Sequence, residues 1–133
     1  HDFEPPLIGE RPAPLQTTIL DMYVNAGGNA VKILQQLLRE MGFDVSVDGA
    51  LGPQSLNAVH SAMKKAPNAF VDAYGIARRN YYFRLAARRP ASRKYARNRA
   101  GGNGGWIVRA EEFIAPQYHL SKAAFDQRVS AWA

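Results

Sequence analysis

Apolar positions recur along most of this chain at helical spacing. Leu15, Ile19, Met22 and Tyr23 share one side of a helix that Pro14 can open and Gly27-Gly28 can end. Asn29 is placed to cap a second helix, on which Val31, Leu34, Leu38 and Met41 repeat at i, i+3, i+7 and i+10 until Gly42. Residues 43–52 change period: apolar and polar positions alternate into an Asp-Gly turn, which predicts a very short hairpin or a structured loop. Pro53 fits the first turn of a helix to about Lys65, with Leu56, Val59 and Met63 inward. Pro67 opens a longer helix on which Phe70, Tyr74, Tyr81 and Leu85 keep roughly helical spacing, and Pro90 breaks it. A basic turn over 92–99 leads to Gly101-Gly102-Asn103-Gly104-Gly105, which reads as a flexible hinge. Trp106 to Phe113 reads as a helix with Trp106, Ala110 and Phe113 on one side, ended by Pro116. Ser121 can cap a last helix holding Ala124, Phe125, Val129 and Trp132. Residues 1–14, with Pro5, Pro6, Pro12 and Pro14, read as an extended lead-in. The pattern predicts an all-α chain with at most a short β-hairpin near 43–50.

Composition narrows the class. The 133 residues predict one domain, or one domain with an appended piece. With 47% hydrophobic and 21% charged residues the chain is globular rather than disordered. It has no cysteine, so disulfides, a Cys-based zinc site and a thiol nucleophile are excluded. No apolar run approaches the ~18 residues a membrane span needs. The opening His-Asp-Phe-Glu-Pro-Pro shows no basic stretch followed by an apolar core, so no signal peptide is legible there.

Charge changes the picture more than composition does. Lys and Arg number 17 against 11 Asp and Glu, for a net charge of +6. Nine of those basic residues fall between Arg78 and Arg99, and no acid occurs between Asp72 and Glu111. Such a run favours an anionic partner, whether nucleic acid, anionic lipid or an acidic cell-wall polymer; it is equally the solvated face of a helix in a basic protein. Against nucleic acid, the basic positions spread round the helix instead of forming one stripe, and no nucleic-acid-binding motif accompanies them.

The candidate chemistry is sparse. Val47-Asp48-Gly49-Ala50-Leu51-Gly52-Pro53 reads as a tight Asp-Gly turn followed by a helix start, pinned to the core by Leu51 and Leu56. Asp44, Ser46, Asp48 and Gly49 fall at calcium-loop positions one, three, five and six, but Ser55 stands where a bidentate Glu is required, so calcium is not expected. His1, His60 and His119 are scattered, no zinc spacing or serine elbow occurs, and no cofactor is called for. Asp21, four residues before Asn25 and flanked by Leu20 and Met22, is the weak candidate for a partly buried acid; a structural hydrogen bond is the alternative. Tyr81, Tyr82, Phe83 and Trp106 can stack on sugar rings while Arg79 or Arg109 hold lactyl or peptide carboxylates, or Tyr81 and Trp106 can be core anchors. Tyr82, offset from the apolar stripe and beside Arg78 and Arg79, is the aromatic expected to be exposed.

Four stretches taken in order resemble a known family. Asp21-Met22-Tyr23-Val24-Asn25-Ala26-Gly27 with Ala30-Val31-Lys32-Ile33-Leu34-Gln35, then the Val47–Leu56 loop, then Arg79-Asn80-Tyr81-Tyr82, then Gly105-Trp106-Ile107-Val108-Arg109 are similar to the C-terminal region of glycoside hydrolase family 108, including its peptidoglycan-binding domain. These are phage-endolysin-like N-acetylmuramidases, once called secretion activators. The likeness runs from about residue 12 to 114. It implies an endolysin-type, lysozyme-like helical bundle: 1–42 as a remnant of the lysozyme-like region, 43–115 as the peptidoglycan-binding region, and 116–133 as a C-terminal helix and tail. It implies peptidoglycan as partner, recognised through Asp48, Gly49 and Gly52 and through Arg79, Tyr82, Trp106 and Arg109, at the bacterial wall or periplasm. The family's Glu-Gly-Gly-Tyr motif, with its proposed catalytic Glu, and its Thr-Lys-Tyr-Gly-Ile-Thr stretch do not occur in these residues. The resemblance therefore implies the non-catalytic remainder of a muramidase, a binding fragment inactive alone.

Overall fold

Three of the prolines marking helix starts in the sequence stand at the first position of a helix. A computed structural model describes residues 14–132; the lead-in expected over 1–14 lies, up to residue 13, outside the described residues. The helices are α1 (Pro14–Ala26), α2 (Asn29–Glu40), α3 (Pro53–Lys65), α4 (Pro67–Arg88), α5 (Arg93–Ala96), α6 (Gly105–Glu111) and α7 (Lys122–Arg128). Short 3-10 turns occupy Pro90–Ser92 and Pro116–Tyr118. The fold is all-α. Residues 43–52 form a loop, not a hairpin, and the extended pairing among the described residues is one isolated antiparallel bridge between Arg97 and Asn103. Within α4, between Tyr74 and Gly75, the chain divides into two compact units.

In the first unit α1 packs on α2 and α2 on α3. Leu15, Ile19 and Met22 of α1, and Ala30, Val31, Leu34 and Leu38 of α2, are buried. Burial of each large aliphatic side chain is worth roughly 1.5–3 kcal/mol. Val45 of the loop, Ala58, Val59 and Ala62 of α3, and Phe70 and Tyr74 of α4 complete this core. The Tyr74 hydroxyl donates to the Ala30 carbonyl at 2.8 Å, so the ring is buried without stranding its polar end. Two stripe expectations fail at their edges: Tyr23 and Met41 are exposed. Asn29 does not cap α2; it is the first helical residue, behind Gly28, whose position carries no side-chain cap bond.

The second unit has a polar centre. Arg78 is fully buried, and Arg79, Tyr82, Phe83 and Ala86 of α4 are buried with it, alongside Ile107, Ala110, Glu111 and Ile114 from α6 and the residues after it. Phe125, Val129 and Trp132 bring in the C-terminal helix and the residues after it. Ser121 caps α7 as its position implies, its hydroxyl accepting from the Ala124 amide at 3.1 Å. The glycine run is not an open hinge. A Cβ on Gly104 would lie 2.5 Å from the backbone carbon and oxygen of Tyr95, so the turn is packed directly against α5.

Candidate functional site

The Asp-Gly loop owes its shape to one neutral side chain that the loop itself does not contain. Gln35 lies on the buried face of α2, fully excluded from solvent. Its Oε1 accepts from the Asp48 and Gly49 amides at 3.0 and 2.9 Å. Its Nε2 donates to Asp48 Oδ1 (3.0 Å), the Ala50 carbonyl (2.9 Å) and Ser55 Oγ (3.0 Å), sharing two protons among three acceptors. A carboxamide is the side chain that offers both signs at this spacing. Asp48 Oδ1 also accepts from the Ala50 amide at 3.0 Å, closing an Asx turn. That amide first, and the Gln35 side chain second, hold the exposed Asp48 carboxyl below the usual carboxylate range. Gly49 takes φ +81, a region that L side chains avoid, and Gly52 precedes Pro53 in extended conformation at the start of α3. At the other end of the loop the Arg39 guanidinium donates to the Val45 carbonyl at 3.1 Å.

So fixed, the loop forms one wall of a groove of about 510 Å³. Gly49, Ala50, Leu51 and Gly52 face Ile19, Leu20 and Tyr23 of α1, with Val31 at the base. Leu20 and Tyr23 are about half exposed, at 51% and 53%, and Val24 beside them is 88% exposed. An aromatic ring and aliphatic side chains lining a concave surface next to a rigid loop suit the apolar face of a sugar ring. Sequence reasoning assigned Tyr23 to the core and gave Gln35 no role. The four-residue steps from Leu15 through Ile19 to Tyr23 keep an apolar period, but Met22 takes the buried place.

The second set of expected site residues divides sharply. Arg79 is buried: its Nη1 donates to Glu111 Oε2 at 2.7 Å and to the Tyr118 carbonyl at 3.0 Å. Glu111 Oε2 also accepts from the Leu120 amide at 2.9 Å, and its Oε1 from Asn103 at 3.3 Å. Arg79 therefore knits α4, the glycine turn and the segment after α6, and its Nε is buried with no hydrogen-bond partner. Tyr82, expected on the surface, is 1% exposed. It supports Trp106 from beneath, rings stacked at 4.9 Å and 20°. Trp106 is half-buried and meets Tyr95 at 5.0 Å, and Tyr95, 45% exposed, presents the outer face of this aromatic stack. Arg109 is exposed and lies 3.7 Å from Glu112 one turn on. The structure thus joins Tyr82 to Trp106 and leaves Arg109 at the surface, while Arg79 serves the interior.

Asp21 is half-buried on α1 and is engaged in an interaction of its own. Among the described residues no three His, Asp or Glu side chains converge as a metal site would require, and no helix is long and apolar enough to cross a membrane. Compared with known proteins, residues 29–111 match a family model described as a predicted peptidoglycan domain. No curated protein and no solved structure matches the chain.

Proposed function

Because the chain belongs to the predicted peptidoglycan domain family, whose model its residues 29–111 match, we propose that it is the wall-binding part of a muramidase-like protein. It holds a glycan strand in the groove between α1 and the Gly49–Gly52 loop and cuts nothing by itself. The groove carries this reading. A concave, largely apolar surface of about 510 Å³ presents Tyr23 and Leu20 to an incoming sugar. Its opposite wall is set before the ligand arrives by Gln35, which donates three hydrogen bonds and accepts two. Preorganisation of that kind spares binding the cost of ordering a loop.

In this reading Asp48, Gly49 and Gly52 act as the wall of the groove, with the Asp48 carboxylate used mainly to hold the turn. Trp106 and Arg109 form a second contact surface together with Tyr95, while Arg79 and Tyr82 position that surface from below. The family-108 likeness extends the reading to a muramidase context. Lack of cleavage follows from the absence of a Glu-Gly-Gly-Tyr motif in these 133 residues. A strand cut by general acid catalysis needs a protonated carboxylic acid aimed at the glycosidic oxygen.

Incubation with insoluble peptidoglycan tests both halves in one tube, because sedimentation reports binding and loss of turbidity reports cleavage. The expected result is co-sedimentation without clearing, weakened about tenfold by Tyr23→Ala, equivalent to ~1.4 kcal/mol. Protein left in the supernatant refutes the binding reading. Clearing refutes the non-catalytic one and makes Asp21 the first residue to change.

A further inference from the structure

The unit from residue 75 onward holds a second cavity, and every charged side chain that lines it is positive. About 600 Å³ in volume, it is bounded by Arg93, Lys94, Arg97, Asn98, Arg99 and Gly101. Its framework is fixed from several sides. Arg93 Nε and Nη2 donate to the Ala86 and Ala87 carbonyls at 3.0 Å each, tying α5 to the end of α4. Asn98 closes the following turn, donating to the Asn103 carbonyl at 3.2 Å and accepting from the Gly102 amide at 2.9 Å. The guanidinium carbons of Arg93 and Arg97 each lie 5.3 Å from the centre of the Trp132 ring, which holds both against one indole.

These cations lack the internal compensation found elsewhere in the unit. Arg79, Arg109 and Lys122 each face a carboxylate, of Glu111, Glu112 and Asp126. Lys94, Arg97 and Arg99 have no such partner among the described residues, and the nearest acids in sequence are Asp72 and Glu111. Like charges gathered in a rigid concavity repel one another and attract an anion. The N-acetylated sugars of a peptidoglycan strand are uncharged, so its negative groups are the carboxylates of the peptides it carries. We propose that this cavity binds the carboxylates of peptidoglycan stem peptides, through the Arg97 and Arg99 guanidinium forks and the Lys94 ammonium. A guanidinium matches a carboxylate with two parallel hydrogen bonds, and a cavity of this volume suits a short peptide better than a duplex. The assignment rests on the peptidoglycan reading and adds to it the part of the polymer being read.

The test compares the wild-type chain with a Lys94→Gln/Arg99→Gln variant, whose exchanged side chains donate none of the framework hydrogen bonds described above, Lys94 giving up its 5.3 Å approach to the exposed Tyr95 ring. Three probes are used at ~50 mM salt, where screening is modest: intact peptidoglycan, N-acetylglucosamine oligomers, which carry no carboxylate, and the free stem peptide followed by NMR. Circular dichroism verifies that the variant is folded. The variant is expected to bind intact peptidoglycan about tenfold more weakly, the scale of one lost charge-assisted contact, and the uncharged oligomers as the wild type does. The free peptide is expected to shift the Trp132 indole and Arg97 signals of the wild type. Equal binding of both proteins to intact peptidoglycan, or an equal loss on the uncharged oligomers, overturns the assignment. A short DNA duplex that shifts the same signals more strongly than the peptide overturns it in favour of phosphate. A wild type that binds the free peptide but no wall refutes the groove alone, whereas a wild type blind to the peptide refutes this cavity's assignment alone.

Discussion

Each unit is organised around one buried polar hub, and the two hubs are chemically opposite. In the first, Gln35 satisfies a loop with a neutral carboxamide that donates and accepts. In the second, Arg79 and Glu111 meet as ions at 2.7 Å, with one guanidinium nitrogen left without a partner. A neutral hub asks little for its burial once its bonds are made, and removing it releases amides that can turn to water. An ionic hub has already lost the hydration of two charges, so removing one partner strands the other. The lesson is that similar connectivity predicts different fragility.

The largest effect is therefore expected in the second unit. Glu111→Ala leaves Arg79 charged and enclosed, and should lower unfolding free energy by about 3–5 kcal/mol, read from the urea midpoint. The paired change Arg79→Met with Glu111→Leu sharpens the comparison, because it should recover most of that loss. If the single and double variants unfold alike, the ionic hub is not what makes this centre fragile. Gln35→Leu comes next, at about 1–3 kcal/mol from the unsatisfied loop groups, and it should weaken peptidoglycan binding as well, since it loosens one wall of the groove.

Smaller changes probe the periphery of the two hubs. Asp48 has a folded pKa held below its unfolded value by the Ala50 amide and Gln35. Its contribution is then fully present above the unfolded carboxylate pKa, about 3.9, and is lost as pH falls through the depressed folded value. Asp48→Asn should accordingly lower stability slightly at neutral pH and flatten the acid limb of the stability profile; an unaltered acid limb counts against that pairing. Least of all, Ser121→Ala should cost about 1 kcal/mol or less, the worth of an exposed helix cap, in the same urea measurement.

The helices were legible because their punctuation is local. Pro14, Pro53 and Pro67 open α1, α3 and α4, and Gly27 and Gly42 adopt the positive φ that terminating turns require. What could not be read was which polar residue lies inside. Along α4 the buried positions Phe70, Tyr74, Arg78, Tyr82 and Ala86 follow one another at steps of four. Arg78, fully buried at the midpoint, breaks that apolar series, so the spacing instead suggests Tyr81 and Leu85 as its continuation and sends Tyr82 to the surface. Gln35 escaped for a similar reason: it looks like a polar residue of an amphipathic helix, and its partners lie 13–20 residues further on. Glu111 stands 32 residues from Arg79, a separation at which charge pairing has no local signature. The candidate loop was recognisable from its Asp-Gly turn, whereas the groove required Tyr23 to lie outside the core, which periodicity alone argues against.

Trp132 gives the second cavity an optical handle. The chain has two tryptophans, Trp106 and Trp132, and both belong to the unit that carries the cationic cavity. One indole lies 5.3 Å from both Arg93 and Arg97, and the other is stacked between Tyr82 and Tyr95. The groove beside Tyr23 contains neither. Tryptophan emission excited at the red edge, where tyrosine does not absorb, is consequently a label-free signal that reports on the cavity and the aromatic stack and is silent for the groove. A Trp132→Phe exchange divides that signal again, separating the cavity from the aromatic stack without attaching a dye to either.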